Sequence, residues 1–333
     1  MALSKFLDPK NDVAFKKIFG SEKNKDILIH FINDIMGFKG KDQIIEVTFL
    51  TPIQNPEIAY KKQSIVDVLC KDQNGVQIIV EMQLSPAKGF EKRAQYYAAK
   101  AYSRQLNQGQ GEDGLYVNLK EVIFIAICEY EIFTKKSGYL SHHIILDKNT
   151  YQHDLKDFSF SFIELSKFPI NKIEELTTIV EKWCYFFKYA KQTSEADLRK
   201  IIGSDLVIER AYEALNQFNW TETELISYEQ EIKRVMDNMA AEAYVVEQQK
   251  ALQEEQKAVK EEQKALREQR KEIEAIGEAR GVEKGMEKGM EKGMEKGMEK
   301  AAINMLNQGL EIKLISSVTG LSITDIEKLQ SML

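Results

Sequence analysis

The sequence predicts an α/β protein: a mixed β-sheet flanked by helices, with an all-helical C-terminal extension. Three observations lead there. Two apolar segments, 64–71 and 76–83, flank the turn signal Asp72-Gln73-Asn74-Gly75 and read as a hairpin. Helical patterns before and after it alternate with further apolar runs, an order that a sheet covered by helices packs most simply. From about residue 174 onward the pattern is helical.

In chain order, residues 8–36 show two runs at helical spacing, broken at Gly20-Ser21, with Ser21 expected to cap the second. Residues 44–50 read as a strand, and the hairpin follows. Phe90, Ala94, Tyr97, Ala98, Ala101 and Gln105 mark a helix over roughly 88–107. The unbroken apolar run at 121–128 reads as a buried strand, and 143–146 and 158–165 as further strands. Residues 174–190 predict one helix with Trp183, Phe186 and Phe187 on its apolar side. Thr221-x-x-Glu224 is a capping-box pattern opening the next.

The tail changes character. Residues 249–276 form four heptads in which Leu252, Val259, Leu266 and Ile273 recur every seven residues. One strong apolar position per heptad predicts a long helix and a weak coiled coil. Six glycines follow at intervals of four, from Gly277 to Gly297, in Gly-Met-Glu-Lys units. Each costs a helix roughly 0.8–1 kcal/mol relative to alanine, so a pliable solvated spacer is expected. The last residues break at Gly309 and Gly320, and Ser322 is placed to cap a final helix carrying Ile326, Leu329 and Met332. The expected divisions are thus 1–170, a core; 171–240, a helical extension packed on it; 241–276, the heptad helix; 277–300, the spacer; and 301–333, a small helical end piece. The end piece vaguely resembles a helix-turn-helix, but Lys328 is the only base on its last helix, so oligomerisation or docking suits it better.

A net charge of −6 argues against a generally basic nucleic-acid coat. Residues 1–110 nevertheless carry 16 basic and 12 acidic side chains, which is compatible with a phosphate-bearing substrate. Residues 1–10 are short and mixed, with no apolar signal, and no run is long and apolar enough for a membrane span. Cys70, Cys128 and Cys184 are distant and odd in number, and read as free thiols of a cytoplasmic protein.

The chemistry concentrates in the hairpin. With a three-residue loop, Gln73-Asn74-Gly75, and Gly75 left-handed, Asp72 faces Val76 and Asp67 lies opposite Glu81. Gln83 shares the face of Glu81 and is a catalytic candidate that can hydrogen-bond the attacking water or a phosphate oxygen. A two-residue loop would remove the opposition. Carboxylates in apolar strands are costly unless paired, and two on neighbouring strands point to a metal ion. The plainer reading, a solvated sheet face, sits poorly with Ile65, Leu69 and Ile79 on the same side. A nuclease needs such acids to hold a hard divalent cation that polarises the phosphate and activates water. Arg93, Tyr97, Lys100 and Arg104 fall within about 50° on the following helix. Arg93 is a candidate phosphate contact, and Lys16, Lys17 and Lys100 are weaker ones; a solvent-facing basic edge is the alternative. His142 and His143 are adjacent and so point to opposite faces of a strand, which disfavours a joint site.

The opening block Asp8-Pro9-Lys10-Asn11-Asp12-Val13-Ala14-Phe15-Lys16-Lys17-Ile18-Phe19-Gly20, the segment Ser64-Ile65-Val66-Asp67-Val68-Leu69, Val80-Glu81-Met82-Gln83 and Lys92-Arg93-Ala94-Gln95-Tyr96-Tyr97 together resemble the Rpn-type recombination-promoting nucleases and transposases of the PD-(D/E)XK superfamily. The resemblance covers roughly residues 5–165. It implies a restriction-endonuclease-like core and Mg²⁺-dependent DNA cleavage, with Mn²⁺ as a substitute. Asp67 and Glu81 would be the metal ligands. Gln83 stands where the superfamily's general motif has lysine. Asp12 falls where an acid often sits on the first core helix, although a helix N-terminus favours an acid in any case. The expected partners are DNA and further copies of this chain, joined through the C-terminal helices so that two sites act on two strands. A cleavage-deficient DNA-binding or scaffold protein that keeps the fold is the alternative, and a strand-joining transposase a third reading.

Overall fold

The computed structural model describes residues 4–54, 64–106, 116–203 and 205–333. The first three residues of the segment 1–10, and residue 107 at the expected end of the 88–107 helix, lie outside them. Two compact units divide the chain, Met1–Met239 and Ala240–Leu333.

The first unit opens with α1 (Asp12–Phe19), where Asn11 Oδ1 accepts from the amides of Val13 and Ala14. α2 (Lys25–Met36) follows a single 3₁₀ turn. Ser21 does not cap α2. Its hydroxyl donates back to the Lys17 carbonyl at 2.7 Å, closing the end of α1. Strands β1 (Val47–Phe49) and β2 (Ile53–Gln54) come next, so the 44–50 strand is shorter than expected. The expected 64–71 strand is broken. β3 (Ser64–Ile65) pairs with β2 in a two-stranded sheet, the chain bends at Asp67, and β4 (Val68–Asp72) joins the main sheet. β5 (Gln77–Gln83), α3 (Phe90–Arg104), β6 (Val122–Cys128), β7 (Leu140–Ile144) and β8 (Phe158–Glu164) complete the α/β part.

The main sheet has the order β1-β4-β5-β6-β8-β7, with β5, β6 and β8 parallel and the other pairs antiparallel. It is the mixed, helix-flanked sheet that the sequence predicts. β6 is the central strand and is buried at all seven positions, which explains its unbroken apolar run. One face packs on α1, α2 and the helices that follow β8. Phe15, Phe19, Phe31, Trp183 and Phe187 meet there, with ring centroids 4.9–6.4 Å apart. The other face packs on α3 through Phe90, Ala94, Ala98 and Ala101.

The predicted 174–190 helix divides into a 3₁₀ turn and α4 (Ile179–Tyr189), because Thr178 and Glu181 form a capping box that starts the helix there. α5 (Glu195–Ile202) and α6 (Leu206–Leu215) follow. The Thr221–Glu224 box opens α7 (Glu222–Asn307), which carries on into the second unit.

In the second unit α7 runs through all six glycines, so the stripe they form winds around a helix. Nucleation is the costly step in helix formation, and the helix on both flanks supplies it, so each glycine bears only the propagation cost. A Cβ at any of the six would meet nothing within 4 Å. Beyond α7, Gly309 (φ +75°) and Gly320 (φ +72°) terminate helices in the left-handed conformation, and α8 (Ile312–Thr319) and α9 (Ile323–Ser331) close the chain. Ser322 caps α9 as expected. Ala302, Ile315 and Ile326 form a small core with Leu329 against it, whereas Met332 is exposed. Among the described residues no helix is long and apolar enough to cross a membrane.

Candidate active site

The hairpin turn sets the site. Gly75 is left-handed at φ +85°, and the Asp72 amide donates to the Val76 carbonyl at 2.9 Å. Val68 then pairs with Val80 and Leu69 with Ile79, the register of a three-residue loop. One step further out, Asp67 and Glu81 meet, each bonded to the other's strand. Glu81 Oε1 accepts from the Asp67 amide at 3.2 Å, and Asp67 Oδ2 accepts from the Met82 amide at 2.8 Å. Asp67 is therefore not inside a continuous strand. It sits at the bend, and the bend substitutes Val66 for Ile65 on the α3 side: Val66 is fully buried there while Ile65 is 57% exposed.

Electrostatics mark the pair. Glu81 is 3% exposed. Burial, then the charge of Asp67, pushes its carboxyl well above the ordinary value. Burial raises Asp67 to about 6, with the Met82 hydrogen bond, Lys16 and Arg93 opposing and the Asp12 charge adding. Two adjacent carboxyls thus resist joint ionisation. An all-oxygen donor pair of this kind suits a hard divalent cation, whose charge offsets the repulsion and whose remaining ligands are commonly waters. Among the described residues no cluster of three or more His, Cys, Asp and Glu side chains is placed to hold a metal.

Gln83 lies two residues beyond Glu81 at the end of β5, and both ends of its amide are engaged. Its Nε2 donates to the Met82 carbonyl at 3.0 Å, and its Oε1 accepts from Arg93 Nη2 at 2.6 Å. The six residues between β5 and α3 bring the helix back over the strand end, with Gly89 left-handed (φ +79°) just before it. Arg93 lies over Phe90, 4.8 Å from the ring centroid, and its Nε is buried without a hydrogen-bond partner. Asp12 is in the first turn of α1, paired with Lys16 at 2.8 Å. Both act electrostatically on Asp67.

Other candidates are placed elsewhere. Lys17 is not brought to the carboxylates. It pairs with Glu224 and lies 4.3 Å from the Trp220 ring, tying α1 to α7. Lys100 is half-buried on α3, 5.9 Å from the Tyr96 ring centroid. His142 bonds Ser161 at 2.8 Å, and His143 packs on Phe133 and Phe162. A cavity of about 290 Å³ between α3 and β7–β8 is lined by His143, Phe133, Phe160 and Phe162 but by neither carboxylate. All three cysteines are free and buried, and burial pushes Cys70 and Cys184 up to about 12.

Sequence reasoning missed Lys10 and Glu129 beside the site. Glu129 follows β6, and its amide donates to the Gln83 carbonyl at 2.9 Å; its carboxylate meets Lys10 at 3.1 Å. Glu129 is merely the first polar residue after an apolar run, and only the parallel β5–β6 pairing brings it next to Gln83.

A family model described as PD-(D/E)XK nuclease family transposase matches residues 9–248. Searches of curated proteins and of solved structures return no match.

Proposed function

The chain belongs to the PD-(D/E)XK nuclease family of transposases, and on that premise we propose that it is a Mg²⁺-dependent DNA endonuclease, with Mn²⁺ as a substitute, serving recombination or transposition. The observation that carries the reading is the pair of carboxylates Asp67, half-buried, and Glu81, buried, with Glu81 accepting from the Asp67 amide and Asp67 from the Met82 amide. These two side chains would hold the cation. When bound, the cation polarises a phosphate oxygen and lowers the pKa of a water nucleophile.

The remaining roles belong to the chain itself. Arg93 has a buried, unpartnered Nε–H to offer an anionic phosphate oxygen, and its fixed charge opposes the negative charge that develops in the transition state. Gln83 acts as a positioning residue: its carbonyl oxygen holds the guanidinium, leaving Arg93 to supply the positive charge that an amide lacks. Asp12 and Lys16 adjust the field at Asp67. Lys10 and Glu129 buttress the strand end.

The test is nicking of supercoiled plasmid. Conversion to open circle with Mg²⁺ and its abolition by a chelator support the assignment. DNA binding without cleavage in either Mg²⁺ or Mn²⁺, together with no calorimetric binding of either ion, overturns it. That outcome favours a second reading, a cleavage-deficient DNA-binding protein, which Gln83 in place of a lysine makes specific. Within the first reading, Arg93→Ala is expected to lower the nicking rate about 100-fold, the scale of losing one preorganised donor. Gln83→Ala is expected to cost about tenfold, because the guanidinium remains but is less well held. Initial rates at saturating Mg²⁺ check both; an unchanged rate in Arg93→Ala removes it from the site.

A further inference from the structure

The exposed heptad stripe on α7 has a partner written into its charges. Leu252, Val259, Leu266 and Ile273 are 54%, 45%, 57% and 63% exposed, a seam of large apolar side chains with no cover within the second unit. We propose that this stretch forms a parallel, in-register, two-stranded coiled coil with a second copy of this chain. The proposal is independent of the cleavage reading.

Frame and orientation follow from the polar positions. If the apolar residues stood at heptad position a, position d would hold Glu255 and Glu262, facing their own copies across the seam. With the apolar residues at d, position a holds Gln249, Gln256 and Gln263, which are neutral and able to hydrogen-bond across the axis, and only in the last heptad a charge, Arg270, which faces its own copy and weakens that end of the seam. The same frame puts Glu255 and Glu262 at g, and Lys260 and Arg267 at e. In a parallel pair, g of one helix lies beside the following e of its partner, so Glu255 meets Lys260 of the second copy and Glu262 meets Arg267. In an antiparallel pair g faces g and e faces e, which sets glutamates against glutamates and bases against bases.

The seam has defined ends. Beyond Ile273 the next a and d positions are Gly277 and Arg280, and the glycines then advance in steps of four that leave the heptad frame. One apolar layer per heptad, with glutamine and finally Arg270 between, makes a weak coil whose assembly depends on concentration and on salt.

Sedimentation equilibrium of the full chain over a concentration series is the test. The expected result is a monomer–dimer equilibrium. Glu255→Lys with Glu262→Lys weakens it about tenfold or more, since attraction becomes repulsion at both oppositely charged g–e pairs. Adding Lys260→Glu and Arg267→Glu restores it, which also shows that the reversed helix still folds. Leu266→Cys, the three native cysteines being buried, becomes disulfide-linked to its own copy on oxidation. A monomer at all concentrations, a dimer indifferent to the first pair of substitutions, or no self-linkage at position 266 overturns the proposal. None of these readouts uses cleavage, so they stand or fall apart from the plasmid assay.

Discussion

Asp67→Asn is expected to reduce Mg²⁺-dependent plasmid nicking by about 1,000-fold while raising the melting temperature of the metal-free protein. The two effects share one cause. Asparagine keeps an oxygen to accept from the Met82 amide, now at 2.8 Å from Asp67, so the bend after β3 survives. What is lost is one of the two negative charges available for a cation. With only Glu81 left to anchor the ion, polarisation of the phosphate and activation of water both weaken; losing part of one such electrostatic effect commonly costs 10²–10³-fold, so about 1,000-fold is the scale for losing most of it. Without metal, the same substitution removes the charge that helps push Glu81 upward. Relief of that buried repulsion stabilises the fold, by about 2–4 °C for each kcal/mol in a unit of this size. Nicking rates and melting curves on one preparation check both effects. Equal nicking by wild type and variant would falsify the catalytic assignment; a variant that melts lower without metal would show that the aspartate is structural.

The second prediction concerns pH. The Asp67 carboxyl is raised from 3.8 to about 6 in the fold, and Glu81 is raised as well. The folded state therefore holds protons that the unfolded chain has already released. Their contribution to stability is complete below the unfolded value and disappears as pH rises through the folded one. Metal-free protein should lose stability between about pH 4 and somewhat above pH 6, by something of the order of 2 kcal/mol. Carboxyls held low by hydrogen bonds or ion pairs, such as Glu224 and Asp325, act in the opposite direction up to the ordinary carboxylate value; His142 and His143, lowered by burial, also oppose the decline below the ordinary histidine value, while Asp34 and Glu121, raised by burial, add to it, so the difference between wild type and Asp67→Asn isolates the site. Mg²⁺ should abolish the decline at pH 7.5, because a cation binds the ionised pair and stabilises the folded state by mass action. Urea midpoints at pH 5 and 7.5, with and without Mg²⁺, give the four values needed. If Asp67→Asn follows the wild-type pH curve, the pair is not what titrates.

Much of this was readable from local pattern. The Asp72–Gly75 turn dictated the register, because a left-handed glycine at the third loop position permits one pairing of the flanking strands. That register, together with the bend at Asp67, set Asp67 and Glu81 within hydrogen-bonding reach of each other's backbone segments. The two sheet faces alternate as the hydrophobic pattern requires, and the Thr221 and Ser322 caps lie where their spacing puts them. Where the reading failed, a competing local bond had won. Ser21 turned back to Lys17, and the Thr178–Glu181 box started a helix five residues after the expected point. The break before β4 had no sequence signal, since Ser64 to Leu69 carries an ordinary strand pattern.

By itself, the amino-acid order determined the α/β class, the hairpin register and the seven-residue spacing of the apolar side chains on the tail, since each depends on residues near in sequence. Tertiary structure decided the rest. It buried the acids deeply enough to raise both carboxyls, laid α3 across the strand end so that Gln83 takes Arg93, and drew Lys17 away to Glu224. Burial and long-range hydrogen bonds depend on which distant segments pack together, and the free energy of a charge depends on that surrounding more than on its neighbours in the chain.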